Sequence, residues 1–248
     1  MLSMSAHKIY GPKGIGALYI RKGLRISNYL HGGAQEMGRR AGTENLPGIV
    51  GFGKAAELAA ADMEHHIAHS RELRDYLVKR ITEEIPDTFV NGSLKQRHPG
   101  NANITFKYIE GESILLMLDF KGISVSTGSA CSSKSLKPSH VLSALGVPVE
   151  MIHGTVRFTV GDFTTKEDID YTVENLKEIT AKLLAEALHS LPEEKREAVL
   201  LYYFFDMSDV EIAKLHNIPR STVQYRRTSS FELLKRYLEE HAYDENDW

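Results

Sequence analysis

Apolar residues recur along this chain at two spacings. From Ala55 through Leu58, Ala59, Met63 and Ile67, and on past Leu73, Leu77 and Ile81, they fall at helical intervals, which predicts one long amphipathic helix ended by Pro86. Elsewhere the apolar runs are short and bounded by turn residues. Gly11-Pro12-Lys13-Gly14 is a turn, and the run Gly16-Ala17-Leu18-Tyr19-Ile20 behind it reads as a buried strand. Further strands are expected at 103–106, 123–126 and 155–160, and helices at 112–118 and 139–145, with a Gly/Ser loop around Cys131. Thr165 with Asp168 three positions on has the spacing of a capping box. The pattern is α/β.

From about Ala187 the pattern changes. Leu191-Pro192-Glu193-Glu194 starts a helix with Pro in its first turn, and no strand-like run follows. Helical patterns at 193–205, 208–216 and 221–240 are joined by Asp206-Met207 and Asn217-Ile218-Pro219, short joints of the helix-turn-helix kind. An α/β part up to residue 186 and an all-α end at 187–248 are expected.

Composition narrows the classes. The 248 residues are 42% hydrophobic and 25% charged, ordinary values for a globular protein and not for a fibrous or disordered one. Thirty Lys and Arg against 33 Asp and Glu leave a net charge of -3, so an anionic partner must be met by a local patch. No apolar stretch approaches the roughly 20 residues that span a bilayer, and the first residues lack the apolar core of a signal peptide, so a cytoplasmic location and no membrane partner are expected. The single cysteine, Cys131, excludes an intrachain disulfide and a cysteine-based zinc site within one chain. Its setting, Gly128-Ser129-Ala130-Cys131-Ser132-Ser133, favours a reactive thiol over a buried one. His65, His66 and His69 share a helix without a completing carboxylate, and no metal site is expected.

Five segments carry a resemblance. SAHKIYGPKGIGALYIR, GGAQEMGRRAGTENLPGIVGFGKA, NANITF, STGSACSS and VRFTVGDFTTKEDID, in that order, resemble the pyridoxal-phosphate-dependent cysteine desulfurases of the NifS/IscS type, within the class V aminotransferases. The resemblance spans about residues 3 to 184 and implies the carboxy-terminal portion of that transferase fold: 1–62 a part of the cofactor-binding large domain, 63–186 the small domain with the cysteine loop. It implies that Lys8 bonds the aldehyde of pyridoxal 5'-phosphate and then acts as base. Ser5 and His7 would bind the cofactor phosphate, Thr43 the phosphate of the partner subunit in a homodimer, and Arg157 the carboxylate of L-cysteine. Cys131 would take the substrate sulfur as a persulfide, release alanine, and pass sulfur to an Fe-S scaffold or other acceptor protein. The family's glycine-rich cofactor segment, ring-stacking histidine and ring-nitrogen aspartate have no counterpart here, so the chain is expected to be amino-terminally truncated and poorly active by itself. A selenocysteine lyase or another class V enzyme is the alternative substrate reading.

The 187–248 segment has eight Lys and Arg against twelve Asp and Glu, a net of -4. Between Arg220 and Arg236, however, five bases face one acid, Glu232. This segment resembles region 4 of sigma-70 family factors at Leu191-Pro192-Glu193-Glu194, Asp209-Val210-Glu211-Ile212-Ala213 and Ser221-Thr222-Val223-Gln224-Tyr225-Arg226-Arg227. DNA or RNA polymerase is the implied partner, with Arg220, Ser221, Thr222, Gln224, Arg226 and Arg227 as the contacting residues. A competing reading makes the protein a DNA-binding regulator in which the desulfurase-like part is only a scaffold.

Overall fold

The computed structural model describes residues 1–128, 139–203 and 205–241. It falls into two compact units, Met1–His66 and Ile67–Trp248.

The first unit is built on a two-stranded ribbon. Strand β1 (Leu2–Ser5) pairs antiparallel with β2 (Gly16–Tyr19), Ser5 opposite Gly16, and a 3-10 turn (Ala6–Ile9) sits at the head of the ribbon. The turn closes with Tyr10 in the left-handed region, φ 61°, and both Gly11 and Ala6 donate backbone hydrogen bonds that fold the loop back. A distorted single turn, α1 (Gln35–Gly38), precedes α2 (Leu46–Ala61), whose start is fixed by Asn45 Oδ1 accepting from Gly48 N–H at 3.1 Å and by Pro47 in the first turn. Small residues of α2 admit the loop: a Cβ on Gly51 would lie 2.6 Å from Pro12 Cγ, and one on Gly11 would lie 3.1 Å from Ala55 Cβ.

Two expectations change here. The run at 16–20 forms a strand, but not a buried one: Leu18 and Tyr19 are more than half exposed, because β2 has β1 as its single partner. The long helix is two helices, α2 and α3 (Met63–Glu84), since Asp62 leaves the helical region at φ -115°, ψ 17° while the apolar spacing runs on across it.

The second unit has a three-stranded antiparallel sheet in the order β3 (Thr88–Val90), β4 (Asn101–Phe106), β5 (Thr155–Thr159). Alternation sorts its two faces. Ala102, Ile104, Phe106, Val156 and Phe158 face a core completed by Leu73, Leu77 and Ile81 of α3, Ile114 and Leu118 of α4 (Gly111–Asp119), and Val173, Leu176 and Ile179 of α7 (Lys166–Ser190). Short helices α5 (His140–Ala144) and α6 (Val149–Ile152) lead into β5. The strand expected at 123–126 is reduced to one antiparallel bridge, Ser126 with Arg157. The Thr165–Asp168 capping box starts α7, as its spacing predicts.

Three helices follow: α8 (Glu193–Tyr203), α9 (Asp209–His216) and α10 (Arg220–His241). A second capping box, Ser208 with Glu211, opens α9, and Asn217, φ 52°, ends it in the left-handed conformation that a tight interhelix joint needs. Ile212, Ala213 and Val223 are buried at the crossing, with Leu201, Tyr202, Met207 and Ile218 around them. This is a helix-turn-helix, and α10 also packs along α7 and α8. No helix among the described residues is long and apolar enough to cross a membrane.

Candidate functional site

The head of the ribbon presents an amine, an imidazole and a hydroxyl. Ser5, His7 and Lys8 are exposed at the 3-10 turn, whereas Ala6 between them is fully buried and anchors the turn to its own loop. Ser5 occupies the position before the turn without spending its side chain on it. Thr43, also exposed, follows Gly42, φ 106°, in the segment ahead of α2. Among the described residues none of these four side chains is drawn into a hydrogen bond or ion pair, so each is open to a ligand. This donor set suits the two reactive ends of pyridoxal phosphate: a primary amine for the aldehyde, a hydroxyl and an imidazole for the phosphate.

Arg157 lies in the other unit, on the polar face of the sheet. Its backbone neighbours are Asn103 across β4 and Ser126 on the opposite side, with Arg157 N–H donating to Ser126 O at 2.6 Å and Ser126 N–H to Arg157 O at 3.2 Å. Asn91 Nδ2 donates to Asn103 Oδ1 at 2.9 Å and to Thr105 Oγ1 at 2.8 Å, and Thr105 and Thr155 share a hydroxyl hydrogen bond of 3.0 Å. The face is therefore a satisfied polar layer that fixes β5 against β4. The guanidinium of Arg157 is half-buried and has no side-chain partner among the described residues. Past the bridge, Ser126 Oγ donates to Gly128 O at 2.8 Å and turns the chain toward the Gly/Ser loop. Cys131 lies outside the described residues. Asn103 and Ser126, which hold Arg157, are not singled out by the sequence; their signal is the register that β4 and β5 adopt.

Among the residues assigned to DNA contact, Arg220, Ser221 and Gln224 are exposed at the amino end of α10, and Thr222 is half-buried. The two arginines after them are occupied. Arg227 spans Asp209 with both arms of its fork, 3.2 Å to Oδ1 and 3.3 Å to Oδ2, donates to the Tyr203 hydroxyl at 2.9 Å, and lies 3.9 Å over the Tyr202 ring. Burial disfavours its charge, but the hydrogen bonds to Asp209 and Tyr203 outweigh this and raise its pKa. Arg226 is paired with Glu194 of α8. Asp209, which the sequence marks as part of the sigma-like segment but not as a partner of Arg227, is thus part of what holds α9 against α10. His66 meets Asp62 at 3.2 Å and His69 meets the Thr164 carbonyl at 3.0 Å. Among the described residues no three His, Cys, Asp or Glu side chains converge as a metal site.

Known proteins share both parts of this arrangement. The family model "Aminotransferase class-V" matches residues 1–172, and the model "Sigma-70, region 4" matches residues 181–229. The chain is 57% identical over 183 residues to the cysteine desulfurase IscS of Dictyoglomus turgidum, covering 74% of this chain and 46% of that protein. It is equally identical, over 183 residues, to the cysteine desulfurase IscS of Methanosarcina thermophila, with 45% of the latter covered. A solved NifS-like protein superposes with a TM-score of 0.65 at 35% identity, over 73% of this chain and 46% of its own. The chain spans about half the length of the curated relatives it matches.

Proposed function

Because the chain belongs to the class-V aminotransferase family, we propose that it carries the carboxy-terminal part of a pyridoxal-phosphate-dependent cysteine desulfurase, joined to a sigma-like helix-turn-helix. The observation that carries this reading is the placement of Arg157. Arg157 is half-buried on a fixed polar sheet face, its guanidinium has no side-chain partner among the described residues, and its backbone is bridged directly to that of Ser126, which precedes the Cys131 loop in sequence. A planar guanidinium holds a carboxylate by two parallel hydrogen bonds, which orients an amino acid without consuming its amino group or its thiol.

In this reading Lys8 takes the proton from Cα of L-cysteine, and Ser5 and His7 hold the cofactor phosphate. Pyridoxal phosphate, when bound, supplies the ring that accepts the electron pair left on Cα. The Cys131 thiolate attacks the substrate sulfur, the carbon–sulfur bond breaks, and alanine leaves with the sulfur retained as a persulfide for an acceptor protein. Thr43 serves the phosphate of the other subunit in a homodimer. The match covers 46% of that relative's length, and in this reading further contacts to the cofactor come from a polypeptide that corresponds to the rest of that length.

At the other end, Arg220, Ser221, Thr222 and Gln224 form the surface offered to DNA, with RNA polymerase as the alternative contact. The desulfurase-as-scaffold reading parts from this one in a single experiment. Pyridoxal phosphate is titrated into the chain, alone and with a polypeptide carrying the amino-terminal half of a desulfurase relative, while absorbance near the visible edge and alanine release from L-cysteine are followed. Complementation should produce both signals, and Lys8→Ala should abolish both. No signal under either condition leaves the scaffold.

A further inference from the structure

Within the second unit, an open cleft of about 590 Å³ lies along α3 and the segment joining β3 to β4. Arg71, Arg74, Asp75 and Lys79 recur at intervals that place them on one helical face, and Lys95 enters from the joining segment. That segment is shaped locally, with Ser93 Oγ accepting from the N–H groups of Lys95 at 3.1 Å and Gln96 at 3.2 Å. Four cationic side chains therefore line the cleft against one carboxylate, a surplus of three positive charges.

Arg74 is the strongest indication of a ligand. Its side chain is 3% exposed, yet its hydrogen bonds among the described residues all go to the adjacent Asp75, from Nε at 2.8 Å and Nη2 at 2.7 Å, and that carboxylate is itself half exposed. Nearby Arg97 donates to the backbone carbonyls of Asn91 and Asn101. Burial first, and then the positive charge of Arg74, hold Arg97 below its ordinary pKa. The buried Arg74 thus has one half-exposed carboxylate as its ion-pair partner and the half-buried Arg97 guanidinium near it, surroundings that an added anion would favour. Guanidinium forks suit phosphoryl oxygens in particular. Val78 and Leu94 give the same cleft an apolar wall.

We propose that this cleft binds an organic diphosphate, its two phosphoryl groups against Arg71, Arg74, Lys79 and Lys95 and its apolar portion against Leu94 and Val78. A nucleoside diphosphate carries about -3 at neutral pH, which matches the surplus on the walls, and the volume lies within the range of small-molecule sites. None of the lining residues is assigned a part in the desulfurase reading, and the proposal does not rest on it.

The test is calorimetric titration of the full chain with ADP, inorganic pyrophosphate and adenosine. ADP and pyrophosphate should bind and adenosine should not. Lys79→Glu and Lys95→Glu, at exposed positions, should each weaken ADP at least tenfold with the circular dichroism spectrum unchanged, while Arg220→Ala leaves ADP binding as it is. The proposal is overturned by absence of ADP binding at millimolar concentration, by binding indifferent to both charge reversals, by binding lost in Arg220→Ala, or by adenosine binding as well as ADP. An oligoglutamate peptide that binds where ADP does not also overturns it, in favour of a protein-docking surface.

Discussion

Arg227 illustrates how one side chain can read as a ligand contact and be a structural pin. The sequence shows two arginines in a basic strip, which suggests phosphates; it does not show that Asp209, eighteen positions earlier, lies within reach of both arms of the second. Arg227→Ala would leave Asp209, 11% exposed, without its guanidinium, at a cost of about 2 kcal/mol. The expected outcome is a lower denaturant midpoint for α8–α10 with the helix-turn-helix loosened. Gln224→Ala removes an exposed side chain and should leave the midpoint unchanged, yet relax sequence preference in duplex binding by about 1 to 3 kcal/mol. If Arg227→Ala alters only the salt dependence of DNA binding and not the midpoint, the pin is wrong. At this scale what could be read from the sequence was local: the Thr165–Asp168 box depends on residues three apart, whereas the Arg227–Asp209 pair depends on a tertiary crossing that no spacing announces.

Between elements, a pH-sensitive contact joins α3 to α7. Arg80 hydrogen-bonds Glu84 on its own helix and reaches Asp170 and Glu174 across the interface, while Lys177 of α7 meets Glu84 at 3.0 Å. The hydrogen bond from Arg80, followed by that from Lys177, lowers the Glu84 pKa to about 2. An unfolded glutamate titrates near 4.3, so the folded state favours the ionised form. The stabilisation is fully present above about pH 4.3 and is lost as pH falls toward 2. Glu84→Gln should therefore be less stable than the parent at pH 6, with the gap closing as the pH is lowered to 2; a gap independent of pH would mean that Glu84 contributes by packing alone. Periodicity located α4, β4, β5 and the three terminal helices to within a few residues. It failed at Asp62, where the apolar spacing continues through a break, and at β3, whose three residues are too few to show alternation. It also read the run behind Gly14 as two-sided burial, because Gly16–Tyr19 has no polar position to mark an exposed face.

Taken whole, the chain distributes its stability unevenly. In Met1–His66 the only buried residues are Ala6 and Gly48, while the second unit holds the continuous apolar core around β4, β5, α3 and α7. Regions with few buried apolar contacts open at low free energy, so limited proteolysis should cut first within the residues between β2 and α2 and leave a protected product beginning in α3. Equal resistance of the two units would show that the first is stabilised by something other than its own core. Family resemblance was legible at this scale because motifs survive without their surroundings; the exposure of the ribbon was not, since it depends on what does or does not lie against it. The helix α7 has a different consequence. Ile169, Val173, Leu176 and Ile179 of this one rod are buried in the core that covers the sheet, and Ala187, two turns on, is also buried. Each residue of an α-helix advances the azimuth by about 100°, so one residue inserted between Ile179 and Ala187 would turn everything beyond it by that angle, whereas seven would return it to within about 20°. The spacing within α7 is thus a phase setting, and variants of this chain can lengthen that segment only in steps near whole turns.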